Sequence, residues 1–183
     1  MKPLIHEIEQ HFSLLREEEL TAHSTLIHMR QQTALLMPYE HYAVQFYPEF
    51  YRFLYENKEW IVFGQDLGGY FVLSWERQWI GYLYQEEDSY RIAYCNDTWH
   101  HFISFYHAFT SVVLQQLIDK QAVCTDRVLD LDSLLDTLTH YYMEIDAQAM
   151  QEEHHFWAIR LYELSEGFFP LDGQTIAMYH SLE

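Results

Sequence analysis

Between Trp60 and Cys95 the sequence holds four strand-like runs joined by connections of only a few residues. The runs are Trp60-Ile61-Val62-Phe63, Tyr70-Phe71-Val72-Leu73-Ser74-Trp75, Trp79-Ile80-Gly81-Tyr82-Leu83-Tyr84 and Arg91-Ile92-Ala93-Tyr94-Cys95, all dense in aromatic and β-branched residues. Gly64-Gln65-Asp66-Leu67-Gly68-Gly69 separates the first two and is turn chemistry, because glycine reaches positive φ without a Cβ clash. Glu76-Arg77-Gln78 joins the second run to the third, and the acidic turn from Gln85 to Ser89 joins the third to the fourth. A parallel crossover needs about a dozen residues or more. The runs therefore predict an antiparallel meander.

Helical spacing surrounds this meander. Leu4, Ile8, Phe12 and Leu15 share one stripe and predict a helix over residues 3 to 20, with Pro3 in its first turn. Leu26, Met29, Thr33 and Leu36 predict a second helix, stopped by Pro38. Pro48 suggests the start of a short helix that lines up Tyr51, Leu54 and Tyr55. After the meander, Asn96-Asp97-Thr98 offers N-cap oxygens to a helix striped by Trp99, Phe102, Tyr106, Phe109, Val113 and Leu117. Leu131, Leu134, Leu138, Tyr142 and Ile145 predict another. Phe156 to Leu164 reads equally as helix or strand, and Gln174 to Leu182 as a last strand. The expected fold class is α+β: an antiparallel meander packed against helices, with N-terminal helices and a mostly helical C-terminal extension. Residues 1–122 form the α+β domain, and residues 123–183 an extension on the same core.

The chemistry of the chain is dominated by charge. Its 28 Asp and Glu against 10 Lys and Arg give a net charge of -18, with the excess spread along both halves. Such a field repels phosphate backbones and anionic lipid and draws in basic proteins, so a basic protein is the expected partner and nucleic acid is not. The same acidity also serves solubility. A 49% hydrophobic chain is too apolar to be disordered. Cys95 and Cys124 show no CxxC spacing, which points to a reducing compartment. With no signal-like N-terminus and no apolar run of about 18 residues, the expectation is a cytoplasmic protein that does not span a membrane.

Residues 48 to 106 carry a further pattern. Pro48-Glu49-Phe50-Tyr51-Arg52-Phe53-Leu54-Tyr55-Glu56-Asn57 looks like a proline-led helix closing on an asparagine, Ile61 to Leu73 like a strand, glycine turn and strand, and Trp79 to Tyr84 followed by Asp97 to Ile103 like the next strand and the helix after the sheet. Together they resemble the SUKH superfamily of bacterial immunity proteins and a fungal cell-wall regulator. The resemblance implies a sheet on helices, no catalytic residues, and neutralisation of a cognate toxin, often a nuclease, by direct binding. This chain departs from the pattern in lacking a glycine after Asn57, in its short Glu76-Arg77-Gln78 turn and in its long C-terminal extension.

Catalytic and metal motifs are sparse. Neither GxSxG nor HExxH occurs, and Gly68-Gly69 is not followed by the lysine of a phosphate loop. His100 and His107 lie two helical turns apart. Glu152 and His155 have Glu-x-x-His spacing, yet di-metal bundles need two such pairs and further helical Glu donors. No metal, cofactor or catalytic residue is assigned. The expected function is binding of a basic toxin-like protein through the sheet turns, by Asp66, Glu76, Tyr84, Glu86, Glu87, Asp88 and Tyr90, with acids for attraction and tyrosines as anchors. The alternatives are an adaptor without a toxin partner, or a small-ligand or metal-dependent enzyme built on the His100 to His107 helix and the His154-His155 pair.

Overall fold

Alternation of side chains across a strand sends every second residue to the same face, and in this chain both faces receive aromatics. The computed structural model describes residues 8–36, 44–87, 89–121 and 130–174. Its centre is a six-stranded antiparallel sheet whose strands neighbour one another in chain order. They are β1 (Ser13–Leu14), β2 (Gln45–Tyr55), β3 (Lys58–Gln65), β4 (Gly69–Ser74), β5 (Ile80–Glu86) and β6 (Ser89–Asn96). The helices are α1 (Glu17–Thr21), α2 (Ser24–Thr33), α3 (Trp99–Gln121), α4 (Leu131–Ile145) and α5 (Phe156–Ser165), with a 3-10 turn at Ala147–Met150. The α+β meander is thus present, and Phe156 to Leu164 resolves as helix.

Two expectations fail for physical reasons. The helix over residues 3 to 20 is interrupted: residues 8–9 are helical, a turn and strand β1 follow, and helix resumes only in α1 at Glu17, with residues 1–7 outside the described residues. Ile8 and Phe12 pack on one face of the sheet while Leu15 packs on the other. One helical stripe cannot serve both faces, so the chain crosses the sheet edge, with Leu15 N–H donating to Phe50 O at 2.9 Å. Nor does Pro48 start a helix. It lies inside β2, in a bulge between the pairs Phe46↔Gly64 and Tyr51↔Val62, where the ladder asks nothing of its missing N–H. Tyr51, Phe53 and Tyr55 recur at the strand period on one face, and Leu54, expected in the helical stripe, is 72% exposed. Glu56 and Asn57 then close a two-residue hairpin with φ of 50° and 59°, the left-handed pair of a type I′ turn. Those strand residues are the ones that looked like the SUKH proline-led helix.

The larger core lies between the sheet and the helices. Phe63 and Phe71 of the sheet pack with Phe102 of α3 and Trp157 of α5 in one cluster. Thr98 Oγ1 caps α3 by accepting from His101 N at 3.2 Å, and Asp130 caps α4 by accepting from Ser133 N. Tyr142 stacks on Phe105 at 3.8 Å and donates its hydroxyl to Phe105 O at 2.8 Å, which fastens α4 to α3. Leu138, Tyr142, Phe156, Trp157, Leu164 and Phe169 all belong to this cluster, so residues 130–174 share the core of the sheet. The Cys95 thiol is fully buried here, and desolvation holds its pKa well above the usual value, which keeps it protonated and unreactive. Cys124 and nearly all of the strand expected over Gln174 to Leu182 fall outside the described residues. Among the described residues no helix is long and apolar enough to cross a membrane.

The opposite face carries Phe53, Trp60, Val62, Tyr70, Val72 and Leu83, overlaid by Ile8 and by Phe12, whose ring meets Tyr70 edge-on at 5.2 Å. Tyr70 donates its hydroxyl to Glu9 Oε1 at 2.5 Å, and burial first, then this carboxylate, pushes its pKa far upward. Burial also raises Tyr47 and Tyr94. An acid whose pKa is raised by folding contributes stability in full below its unfolded pKa of about 10, and that contribution is lost as pH climbs toward the folded value. Unfolding free energy should therefore fall steeply above about pH 10, Tyr70 alone supplying a slope of up to about 1.4 kcal/mol per pH unit. Denaturant titrations across pH 8 to 11.5 should show a shallower alkaline limb for Tyr70→Phe, and an unchanged limb would contradict this account.

Candidate functional site

Asp66 sits at the β3–β4 turn, where its backbone N–H donates to Gly69 O at 3.0 Å. Its Oδ1 accepts the N–H groups of Gly68 and Gly69 at 2.9 and 3.1 Å, and the Tyr82 hydroxyl donates to the same oxygen. The glycines are there for close approach. A Cβ on Gly69 would stand 2.2 Å from Leu83 O, and one on Gly68 would stand 2.9 Å from the Tyr82 hydroxyl. The two glycines thus let the tyrosine of a neighbouring strand reach the carboxylate.

The other oxygen, Oδ2, meets Arg160 Nη2 of α5 at 2.7 Å, across 94 residues of sequence. The two side chains are only 4% and 11% exposed. Arg160 also engages Glu163 through Nη1, and its guanidinium lies over the rings of Phe156, Tyr82 and Phe169 at 4.8, 5.7 and 6.0 Å. A buried ion pair is tolerable when hydrogen bonds answer both charges, and removing one partner leaves the other desolvated.

This pair forms part of the wall of a cleft of about 260 Å³. The remaining walls are mostly apolar: Leu67 from the turn, Tyr82 and Tyr84 from β5, Ile159 from α5, and Phe168, Phe169 and Leu171 from the segment after it. Tyr84 stacks on Tyr82 at 6.2 Å, and Ile159 and Phe168 are partly exposed at the mouth. Burial first and Glu86 second raise the Tyr84 pKa, so its hydroxyl stays neutral. With Asp66 and Glu163 against one guanidinium, the polar part of the wall keeps one net negative charge.

The residues expected at the site separate into distinct places. In a meander successive turns alternate between the two ends of the sheet. The β3–β4 turn of Asp66 and the β5–β6 turn of Glu86 and Glu87 therefore share one end, while Glu76, on the β4–β5 turn, stands at the other. A six-residue strand separates them by roughly 20 Å. Asp66 is spent inside the protein and presents no free carboxylate. Tyr84 faces the cleft, whereas Tyr90 packs on the opposite face of the sheet. Glu86 and Glu87 are exposed beside the cleft wall at Gln85, Glu86 pairing with Arg91 at 3.0 Å. Asp88 lies outside the described residues. The surface that survives is Tyr84, Glu86 and Glu87, joined by Arg160, Glu163 and Phe168, which spacing did not reveal. A signal for Arg160 existed: a lone cation within the apolar run Phe156 to Leu164 of so acidic a chain demands a carboxylate partner.

The histidines arrange themselves differently from the expected pattern. His100 and His107 are exposed on α3, and Glu152 with His155 occupies the turn before α5, where no helical face brings them together. His155 instead lies 2.8 Å by Nδ1 from Gln148 O. A buried polar centre forms around Asp146, which follows α4 and accepts from Asn96 Nδ2 and Asp97 N, both at 3.1 Å, and from the Tyr94 hydroxyl. Asn96 in turn accepts from Trp157 Nε1 at 2.7 Å.

No protein-family profile, curated protein or solved structure matches this chain.

Arg160→Ala or Asp66→Asn should lower unfolding free energy by about 3–5 kcal/mol, the cost of stranding one buried charge. Gly69→Ala should cost about 3 kcal/mol by overpacking. Gly173→Ala, whose Cβ would meet nothing within 4 Å, should leave stability near wild type. Equilibrium urea unfolding of the four variants checks this order, and an Arg160→Ala midpoint equal to wild type would refute the clasp.

Proposed function

We propose that this chain is a protein-binding module of the immunity type, which neutralises a basic, toxin-like protein by seating one of its long basic side chains in the cleft. The observation that carries the reading is the position of the cleft: it opens at the sheet end that bears Glu86 and Glu87, and its own wall is one charge negative. Tyr84 and Phe168 supply flat apolar surface for the stem of a lysine or arginine, and Glu163, 28% exposed, supplies the counter-charge. The net charge of -18 provides the long-range attraction that speeds encounter with such a partner. The resemblance to the SUKH family loses its first part to strand β2. What it adds is the expectation that a sheet on helices works by binding.

The test is co-purification with, and protection against, a basic toxin domain encoded in the neighbouring reading frame. The expected result is a complex whose association slows as salt rises, with Glu86→Lys and Glu87→Lys together slowing it about tenfold or more, and Phe168→Ala acting mainly on dissociation. A housekeeping gene context without a secreted neighbour would sink the reading. So would a complex indifferent both to ionic strength and to these variants.

A further inference from the structure

His101 lies in the first turn of α3, Asp97 just before that helix, and Asp146 just after α4. Folding brings one donor atom of each within 4.8 Å of the other two, with His101 Nδ1 at 2.6 Å from Asp97 Oδ1. We propose that these three residues bind one divalent transition-metal cation of the zinc type.

The chemistry of the donors supports this. Asp146 is 7% exposed and is held in place from one side: Oδ2 accepts from Asn96 Nδ2, Asp97 N and the Tyr94 hydroxyl at 3.1, 3.1 and 3.2 Å. Oδ1 meets the same hydroxyl only at 3.4 Å, so one oxygen is saturated and the other keeps acceptor capacity. A carboxylate oriented in this way by neighbouring donors is what a metal ligand requires of its surroundings. Asn96 is itself anchored by Trp157, which extends the support into the core.

The geometry closes with small movements. Zinc–nitrogen and zinc–oxygen bonds of about 2.0–2.2 Å place two ligands of a tetrahedral ion about 3.4 Å apart. The separations here run from 2.6 Å between His101 and Asp97 to at most 4.8 Å, so adjustments of about an ångström in either direction suffice, which the exposed Asp97 and part-exposed His101 side chains supply by rotamer change while Asp146 stays fixed. Two carboxylates and a neutral imidazole balance a doubly charged ion, and the imidazole nitrogen favours zinc over calcium or magnesium. The positive end of α3 opposes a cation, but its N–H at His101 is already answered by Thr98 Oγ1, and the preceding N–H of Asp97 by Asp146. The site stands apart from the cleft and does not depend on the protein-binding reading.

Titration calorimetry of the tag-free full chain with zinc chloride tests the proposal, each variant being measured below its own unfolding midpoint. One saturable site per chain is expected, weakened at least about tenfold by His101→Ala and by Asp97→Asn, and unchanged by His154→Ala, which removes the exposed member of the His154-His155 pair. Absence of a saturable site overturns the proposal. Binding that survives both first variants, or that disappears with His154→Ala, overturns it equally.

Discussion

The ion pair between Asp66 and Arg160 is the interaction on which the arrangement of this molecule turns. It joins the β3–β4 turn to α5, and every other feature of that region is arranged around its two charges. Gly68 and Gly69 let Tyr82 approach the carboxylate, while Phe156, Tyr82 and Phe169 enclose the guanidinium. A charge pair so desolvated gives the sheet and the helix one relative position, because sliding either element would strand a charge in apolar surroundings. The cleft is a by-product of that constraint, since the groups that solvate the pair are also the groups that line the cavity.

The meander was legible because its signals were local. Alternating aromatic and β-branched runs with connections of a few residues admit one topology, and the cap at Thr98 and the stripe from Trp99 to Val113 mark α3 without ambiguity. Where the reading failed, two structures competed for the same residues. Pro48 suits a helix start as well as a bulge, and only the spacing of Tyr51, Phe53 and Tyr55 favoured the strand. Ile8, Phe12 and Leu15 form a good helical stripe in isolation, but the sheet has two faces to cover and the residues are divided between them.

The functional surface was half legible for a related reason. Charge and aromatic content singled out the Glu86-Glu87 turn and Tyr84, which do lie together. Asp66 looked like one more surface acid because its partner is 94 residues away, a separation over which spacing carries no information. The histidines show the same limit. Periodicity drew attention to His100 and His107, whereas the histidine that bonds Asp97 and lies within 4.8 Å of a second carboxylate is His101, and that second carboxylate, Asp146, arrives from the far end of α4.

The alternation of turns along the meander has an engineering consequence. The Glu56-Asn57 and Glu76-Arg77-Gln78 turns project from the end of the sheet remote from the cleft, and Glu56, Asn57, Glu76 and Arg77 are solvent-exposed. Foreign sequence placed there, such as a fluorophore, an affinity handle or a surface tether, would leave the cleft facing free solution. The molecule can thus be held by one end while the other is presented to whatever it binds.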